Sequence, residues 1–231
     1  MHFDAHHLDA RDIERRRDRA ATSFDSADFL HQRAHEGLSE RLEPMVMTPS
    51  LIVDLGAGTG AMSRRLAKQY RKARVLSVDS SRAMLDVARA NDPAGTYELG
   101  SAENLAACFE PGEFDAVYSV YTLRNFADTN AAVRAMAHVL APGGTLVILD
   151  AFPPPKGSFM AVALRFWMNV VVAAIVKPFT DAKAYRYLAA SIEQTRTPEE
   201  TADILRREGF EDVQITTYSF GAAAMLLGSK R

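Results

Sequence analysis

The residues with the types and spacing to do chemistry are three glycines, two carboxylates and an arginine–asparagine pair. Gly56, Gly58 and Gly60 lie in LIVDLGAGTG, residues 51–60, with Ala57 between the first two. At a turn between a buried strand and a helix, a residue without Cβ lets the backbone approach a ligand closely. Dinucleotide sites use G-x-G-x-x-G so that a pyrophosphate can sit on the helix N-terminus. Here the pattern is D-x-G-x-G-x-G, with Asp54 in front. A carboxylate there repels a pyrophosphate and suits a ligand carrying an ammonium and a sulfonium.

Asp79 ends the next apolar run about 20 residues after Gly60, where a carboxylate can take both ribose hydroxyls of a nucleoside. Taken alone, Asp79 fits the N-cap of the following helix equally well. In register with the glycine loop it reads as the ribose ligand, with Ser80 beside it. Met84 falls where an apolar side chain lies against an adenine ring or packs into the core, and both readings stand. In GSAENL, 100–105, the Ser101 hydroxyl and the backbone amides of Ala102 and Glu103 are placed for the adenine edge. Ser119, in FDAVYSVY at 114–121, completes the expected cofactor-facing set.

These residues need a scaffold, and the apolar pattern supplies one. Short apolar runs at Leu51–Leu55, Val75–Val78, Thr96–Leu99, Phe114–Val120 and Thr145–Leu149 read as strands. Helical spacing at Met62–Tyr70, Ala83–Ala90 and Asn130–Leu140 alternates with them, and Pro142-Gly143-Gly144 makes a turn into the fifth strand. That alternation predicts a mostly parallel sheet covered by helices on both faces. Helix Glu199–Glu208 and strands near Val213–Ser219 and Ala223–Gly228 close the chain, the strands near enough for an antiparallel pair. The expectation is one α/β domain with a Rossmann-like seven-stranded sheet. Its parts are an N-terminal helical lid (1–48), a cofactor-binding core (49–152), a helical insertion or flap (153–197) and a closing unit (198–231).

The bulk numbers narrow the classes. A chain of 231 residues suits one large domain. A net charge of −2 gives no general attraction to nucleic acid. The single cysteine, Cys108, excludes an intrachain disulfide and suits a reducing, cytoplasmic setting. His31 and His35 are four apart with no third ligand at sensible spacing, so no metal site is expected. The longest unbroken apolar run in the insertion, Val170–Val176, falls short of the roughly 20 residues needed to span a bilayer. The polar-striped helix with Arg165, Asn169 and Lys177 either packs on the core or serves as a mobile flap over the pocket that also touches the inner membrane face. Assembly as a homodimer is left open.

Together, motif I at 51–60, Asp79, FDAVYSVY and LAPGGTLVILD at 140–150 resemble the class I S-adenosylmethionine-dependent methyltransferases. YTLRNFAD at 121–128, AYRYLAASIEQTRTPEE at 184–200 and the C-terminal segment resemble the ubiquinone/menaquinone biosynthesis C-methyltransferases. That resemblance implies S-adenosylmethionine as cofactor and a prenylated quinol methylated on a ring carbon. It places Arg124 and Asn125 at the substrate ring; Tyr121 and Tyr187 are candidate walls, and Phe24 and Phe166 candidate substrate contacts. For Arg124 the alternative is a surface salt bridge.

Residues 19–42, with Phe24-Asp25, instead look like the malonyl-carrier-protein O-methyltransferases. There Arg15, Arg16, Arg17 and Arg19 would face an acidic carrier. An O-methyltransferase of a small aromatic or polyketide metabolite is a further alternative. From a different class comes a cofactor-binding module without transferase activity. Ser101, where such enzymes commonly carry Asp or Asn, hints at it, and the intact glycines, Asp79, Arg124 and Asn125 speak against it.

Overall fold

A computed structural model describes residues 48–153, 196–218, 221 and 223–231. The lid, nearly all of the insertion, and with them Phe24, Phe166, Tyr187, His31, His35 and the arginines near the N-terminus lie outside the described residues.

The strands are β1 (Leu51–Leu55), β2 (Arg74–Asp79), β3 (Thr96–Leu99), β4 (Phe114–Val120), β5 (Leu140–Ala151), β6 (Phe210–Tyr218) and β7 (Ala223–Lys230). They form one sheet in the order β3-β2-β1-β4-β5-β7-β6. Neighbours from β3 to β5 pair in parallel, while β7 is antiparallel to both β5 and β6. The expected mostly parallel sheet with an antiparallel C-terminal strand is the one observed. The helices are α1 (Ala61–Gln69), α2 (Arg82–Asn91), α3 (Leu105–Cys108), α4 (Thr129–Val139) and α5 (Pro198–Arg207).

Side chains that alternate along each strand serve two cores. Val53, Leu55, Val117, Leu146 and Ile148 face α4 and α5 through Val133, Met136, Ile204 and Leu205. Ile52, Ala116, Tyr118, Val147 and Leu149 pack with Met62 and Leu66 of α1. Both faces of the central strands are therefore dry. Burial of this kind is worth about 1.5–3 kcal/mol for each large aliphatic side chain.

Caps fix where the helices begin. Ser81 accepts from the Met84 amide at the start of α2, and Asp128 accepts from the Asn130 and Ala131 amides at the start of α4. Thr197 and Glu200 make a reciprocal capping box, with Pro198 at the first turn of α5. The N-cap of α2 is therefore Ser81, not Asp79, which frees the Asp79 carboxylate for the site.

The turn expected at Pro142-Gly143-Gly144 lies inside β5 as a register shift. Phe114 pairs with Leu140, then Ala116 with Thr145, so the intervening residues bulge out. Gly143, at φ 76°, supplies the left-handed residue the bulge needs.

Candidate active site

The C-terminal ends of β1 and β2 carry the first half of the site. Gly56 and Ala57 donate their amides to the Val78 carbonyl at 2.7 and 3.0 Å, which folds the glycine loop back over β2. Gly56, Gly58 and Gly60 all have positive φ, at 74, 54 and 78°. A Cβ at Gly56 would sit 2.1 Å from the Thr122 methyl, whereas one at Gly58 would meet nothing within 4 Å. Gly56 is thus required by a neighbouring loop, and Gly58 leaves the loop open to a ligand.

The Asp79 carboxylate accepts from the Gly58 amide at 2.8 Å and from the Ser81 amide at 2.9 Å. It anchors the loop and still offers lone pairs to a diol. Asp54 is buried and held by a relay the sequence reading missed. Ser77 Oγ donates to Ser63 Oγ at 2.7 Å, and Ser63 Oγ donates to Asp54 at 2.5 Å. Burial pushes the Asp54 carboxyl up to about 6, with the nearby Asp79 charge adding to the rise. Two adjacent carboxylates in a dry place favour a cation between them. A ligand with an ammonium, a sulfonium and a ribose diol fits that set.

The other expected cofactor residues take mixed positions. Ser80 lies between Asp79 and the α2 cap, half-buried. Met84 is buried, in line with the core reading. Ala102 begins a single 3-10 turn, Ala102–Asn104, whose N-cap Ser101 makes no side-chain capping bond. The Glu103 carboxylate accepts from the amides of Ala127 at 2.8 Å and Asp128 at 3.4 Å. It therefore ties the loop after β3 to the loop after β4. Ser119 is fully buried, and its hydroxyl pairs with that of Thr122 at 2.5 Å. Ser119 positions the next loop from beneath.

The second half sits beyond the ends of β4 and β5. Tyr121 has a left-handed backbone, φ 57°, with its amide bound to the Leu149 carbonyl at 2.7 Å. Such a conformation costs a residue with a Cβ of order 1–2 kcal/mol and concentrates at functional sites. Leu123–Asn125 form a 3-10 turn that carries Arg124 and Asn125 in succession. The Arg124 guanidinium stands 5.8 Å from the centre of the Tyr121 ring and 2.6 Å from Asp150 Oδ1.

Arg124 is in an ion pair, but a largely buried one. Its side chain is 11% exposed and that of Asp150 is fully buried, so the surface alternative is overturned. Asp150, like Ser63 and Ser77, is a residue the sequence reading missed. Its signal was a carboxylate ending an apolar strand, as at Asp54 and Asp79. Burial raises the Asp150 carboxyl above the usual range, against the pull of Arg124. Burial likewise raises the Tyr121 phenol. Among the described residues no group of three or more His, Cys, Asp or Glu is arranged to hold a metal ion.

A doubly covered parallel sheet with a glycine loop flanked by two carboxylates, next to an ion pair and an aromatic ring beyond the ends of β4 and β5, fits an S-adenosylmethionine-dependent methyltransferase of the Rossmann-like class. The chain belongs to the ubiE/COQ5 methyltransferase family, whose model matches residues 28–230. It is 36% identical to a demethylmenaquinone methyltransferase of Thermus thermophilus over 79% of this chain and 83% of that one. A demethylmenaquinone methyltransferase of Thermotoga maritima is 32% identical over 79% of each chain. The ubiquinone/menaquinone biosynthesis C-methyltransferase of Caulobacter vibrioides is 28% identical over 91% of this chain and 88% of that one.

Solved structures agree on the fold. Haemonchus contortus phosphoethanolamine N-methyltransferase 2, in complex with S-adenosylhomocysteine, superposes with a TM-score of 0.70 at 18% identity. That match covers 97% of this chain and 60% of the other. A possible histamine N-methyltransferase of Thermotoga maritima gives 0.66 at 21% identity, over 95% and 100%.

Proposed function

We propose that this enzyme transfers a methyl group from S-adenosylmethionine to a ring carbon of a prenylated quinol. The observation that carries the reading is the Tyr121–Arg124–Asp150 cluster beside the glycine loop, in a chain whose relatives are demethylmenaquinone methyltransferases. The cofactor, when bound, supplies an electrophilic methyl group on a sulfonium. Asp79 would hold its ribose, Asp54 would favour its cationic part, and the segment 101–103 would border its adenine.

A quinol oxygen titrates near pH 10 in water, by analogy with tyrosine. The Arg124 guanidinium stabilises the oxygen as negative charge develops on it, which makes the neighbouring carbon nucleophilic. Asn125 orients that oxygen or a water. Tyr121, fixed by its left-handed backbone, forms one wall, and Phe24, Phe166 and Tyr187 are assigned to the others from sequence. Alignment of the acceptor carbon with the methyl group can supply about 7–11 kcal/mol, so positioning outweighs acid–base help.

No helix among the described residues is long and apolar enough to cross a membrane. A prenylated acceptor resides in the bilayer, so this reading sends the enzyme to a membrane surface, with 153–197 as the contacting flap and 1–48 as the lid. Pelleting with liposomes tests the contact, and sedimentation tests the homodimer.

The deciding assay is methyl transfer from labelled cofactor, under reducing conditions, to three acceptors. They are a short-chain demethylmenaquinol, a prenylated methoxybenzoquinol and malonyl-carrier protein. Labelling of a quinol, with kcat reduced about 10²–10³-fold in Arg124→Ala and the cofactor Kd unchanged, is the expected result. Labelling of the malonyl thioester alone overturns it.

A further inference from the structure

Asp150 carries more than the anchoring of Arg124. Its Oδ1 accepts from the guanidinium at 2.6 Å and from its neighbour Ala151's amide at 2.7 Å, so that oxygen is committed. Its Oδ2 is buried and makes no hydrogen bond, and it is the one buried side-chain polar atom in this condition among the described residues. An orphaned carboxylate oxygen is expensive, and most buried polar atoms find partners. The sequence could have avoided the cost with an apolar residue at this strand end. Instead the carboxylate lies against the guanidinium that stands over the Tyr121 ring, beside a backbone strained at φ 57°.

We propose that Asp150 Oδ2 is the subsite for a hydroxyl group of the methyl acceptor, so that the enzyme recognises a hydrogen-bond donor on the ring. This rests on the quinol reading. Arg124, a donor only, takes the ring oxygen's lone pairs, while Asp150, an acceptor only, takes its proton. A quinol offers both, whereas a quinone or an alkyl ether lacks the proton.

The pair also gives that proton a destination. As the ring carbon's electron pair forms the new carbon–carbon bond, the carbon–sulfur bond breaks and its electrons stay on sulfur. The hydroxyl proton passes to Asp150 Oδ2 and the ring oxygen becomes a carbonyl. Water then takes the proton from the methylated ring carbon, the ring regains aromaticity, and Asp150 returns its proton to the oxygen. One proton leaves to solvent for each methyl transferred. Burial, which raises the Asp150 carboxyl, makes its ionised form a better proton acceptor.

The test begins with the wild type, whose failure to methylate either short-chain demethylmenaquinol or the prenylated methoxybenzoquinol would sink both the quinol reading and this subsite. With turnover established, binding of naphthalene-1,4-diol and of its dimethyl ether is compared in the presence of S-adenosylhomocysteine. The diol should bind at least about tenfold tighter, the loss expected when a buried acceptor is left unpaired. Asp150→Asn should abolish that preference and lower kcat about 10²–10³-fold with the cofactor Kd unchanged. Asp150→Glu should recover part of both. A merely structural role would lower melting temperature without moving the diol-to-ether ratio. Equal binding of diol and ether by the wild type overturns the inference alone and needs no variant to fold.

Discussion

The loop ends of β1 and β2 and the loop ends of β4 and β5 solve different problems with different materials. The first region is built from backbone: three glycines at positive φ, loop amides tied to Val78, and a carboxylate that accepts from two amides. The second is built from side chains: a buried ion pair, an aromatic ring and a strained tyrosine backbone. A cofactor of fixed shape can be gripped by a rigid loop made of neighbours in sequence. In the proposed reading the second region serves an acceptor ring, and charge at a dry site must come with its counter-charge. The two regions meet at Thr122, whose methyl abuts Gly56, and at Glu103, which holds the amides of residues 127 and 128.

The seam gives the largest expected effect. Gly56→Ala places a Cβ 2.1 Å from the Thr122 methyl in a left-handed backbone. Stability should fall by about 2–4 kcal/mol in denaturant titrations, with cofactor binding lost by calorimetry. A variant that kept both intact would show the two regions to be mechanically independent.

Asp79→Ala separates the regions from the other side. Removing an ionised acceptor of two amides, placed for a ribose diol, should weaken cofactor Kd about 10–100-fold. The acceptor KM, measured at saturating cofactor, should stay within twofold (roughly, since the two sites share no side chain).

The pH dependence of cofactor binding sharpens the contrast further. With the Asp54 carboxyl raised from 3.8 to about 6, the folded chain keeps a proton that the unfolded chain has lost. Asp54 therefore costs nothing below 3.8, and stability falls as pH rises from there to about 6. A cationic ligand favours the ionised form, so binding expels the proton. Affinity should climb by up to about tenfold per pH unit below the folded pKa and flatten above it. Asp54→Asn should remove the slope. A slope that survives in this variant would assign the titration to another group.

Glu103→Gln gives the smallest effect. It keeps an acceptor for the Ala127 and Asp128 amides and loses only the charge, so kcat should fall about 2–5-fold. No change would leave Thr122 as the working link between the regions.

The glycine loop, the carboxylate ending β2 and the alternating strands were legible because each depends on residues close in sequence. Asp54, Gly56, Gly58, Gly60 and Asp79 occupy the places their pattern implies. Where the reading left the N-cap of α2 open, the fold decided it, since Ser81 caps that helix. The Ser63–Ser77 relay gave no signal, since isolated serines in a helix and a strand are ordinary residues.

The presence of β1 to β5 and the tight turn at the glycine loop follow from sequence alone, because hydrophobic period and left-handed turns are local properties of the chain. Tertiary structure alone decided that Arg124 pairs with Asp150, 26 residues on, and that Gly56 must yield to Thr122, 66 positions away. Those contacts exist because β4 lies between β1 and β5, and the parallel register brings all three strand ends to one edge of the sheet. Distance along the chain carries no trace of that adjacency. Only the packed sheet turns a lone arginine and a lone aspartate into one charged site.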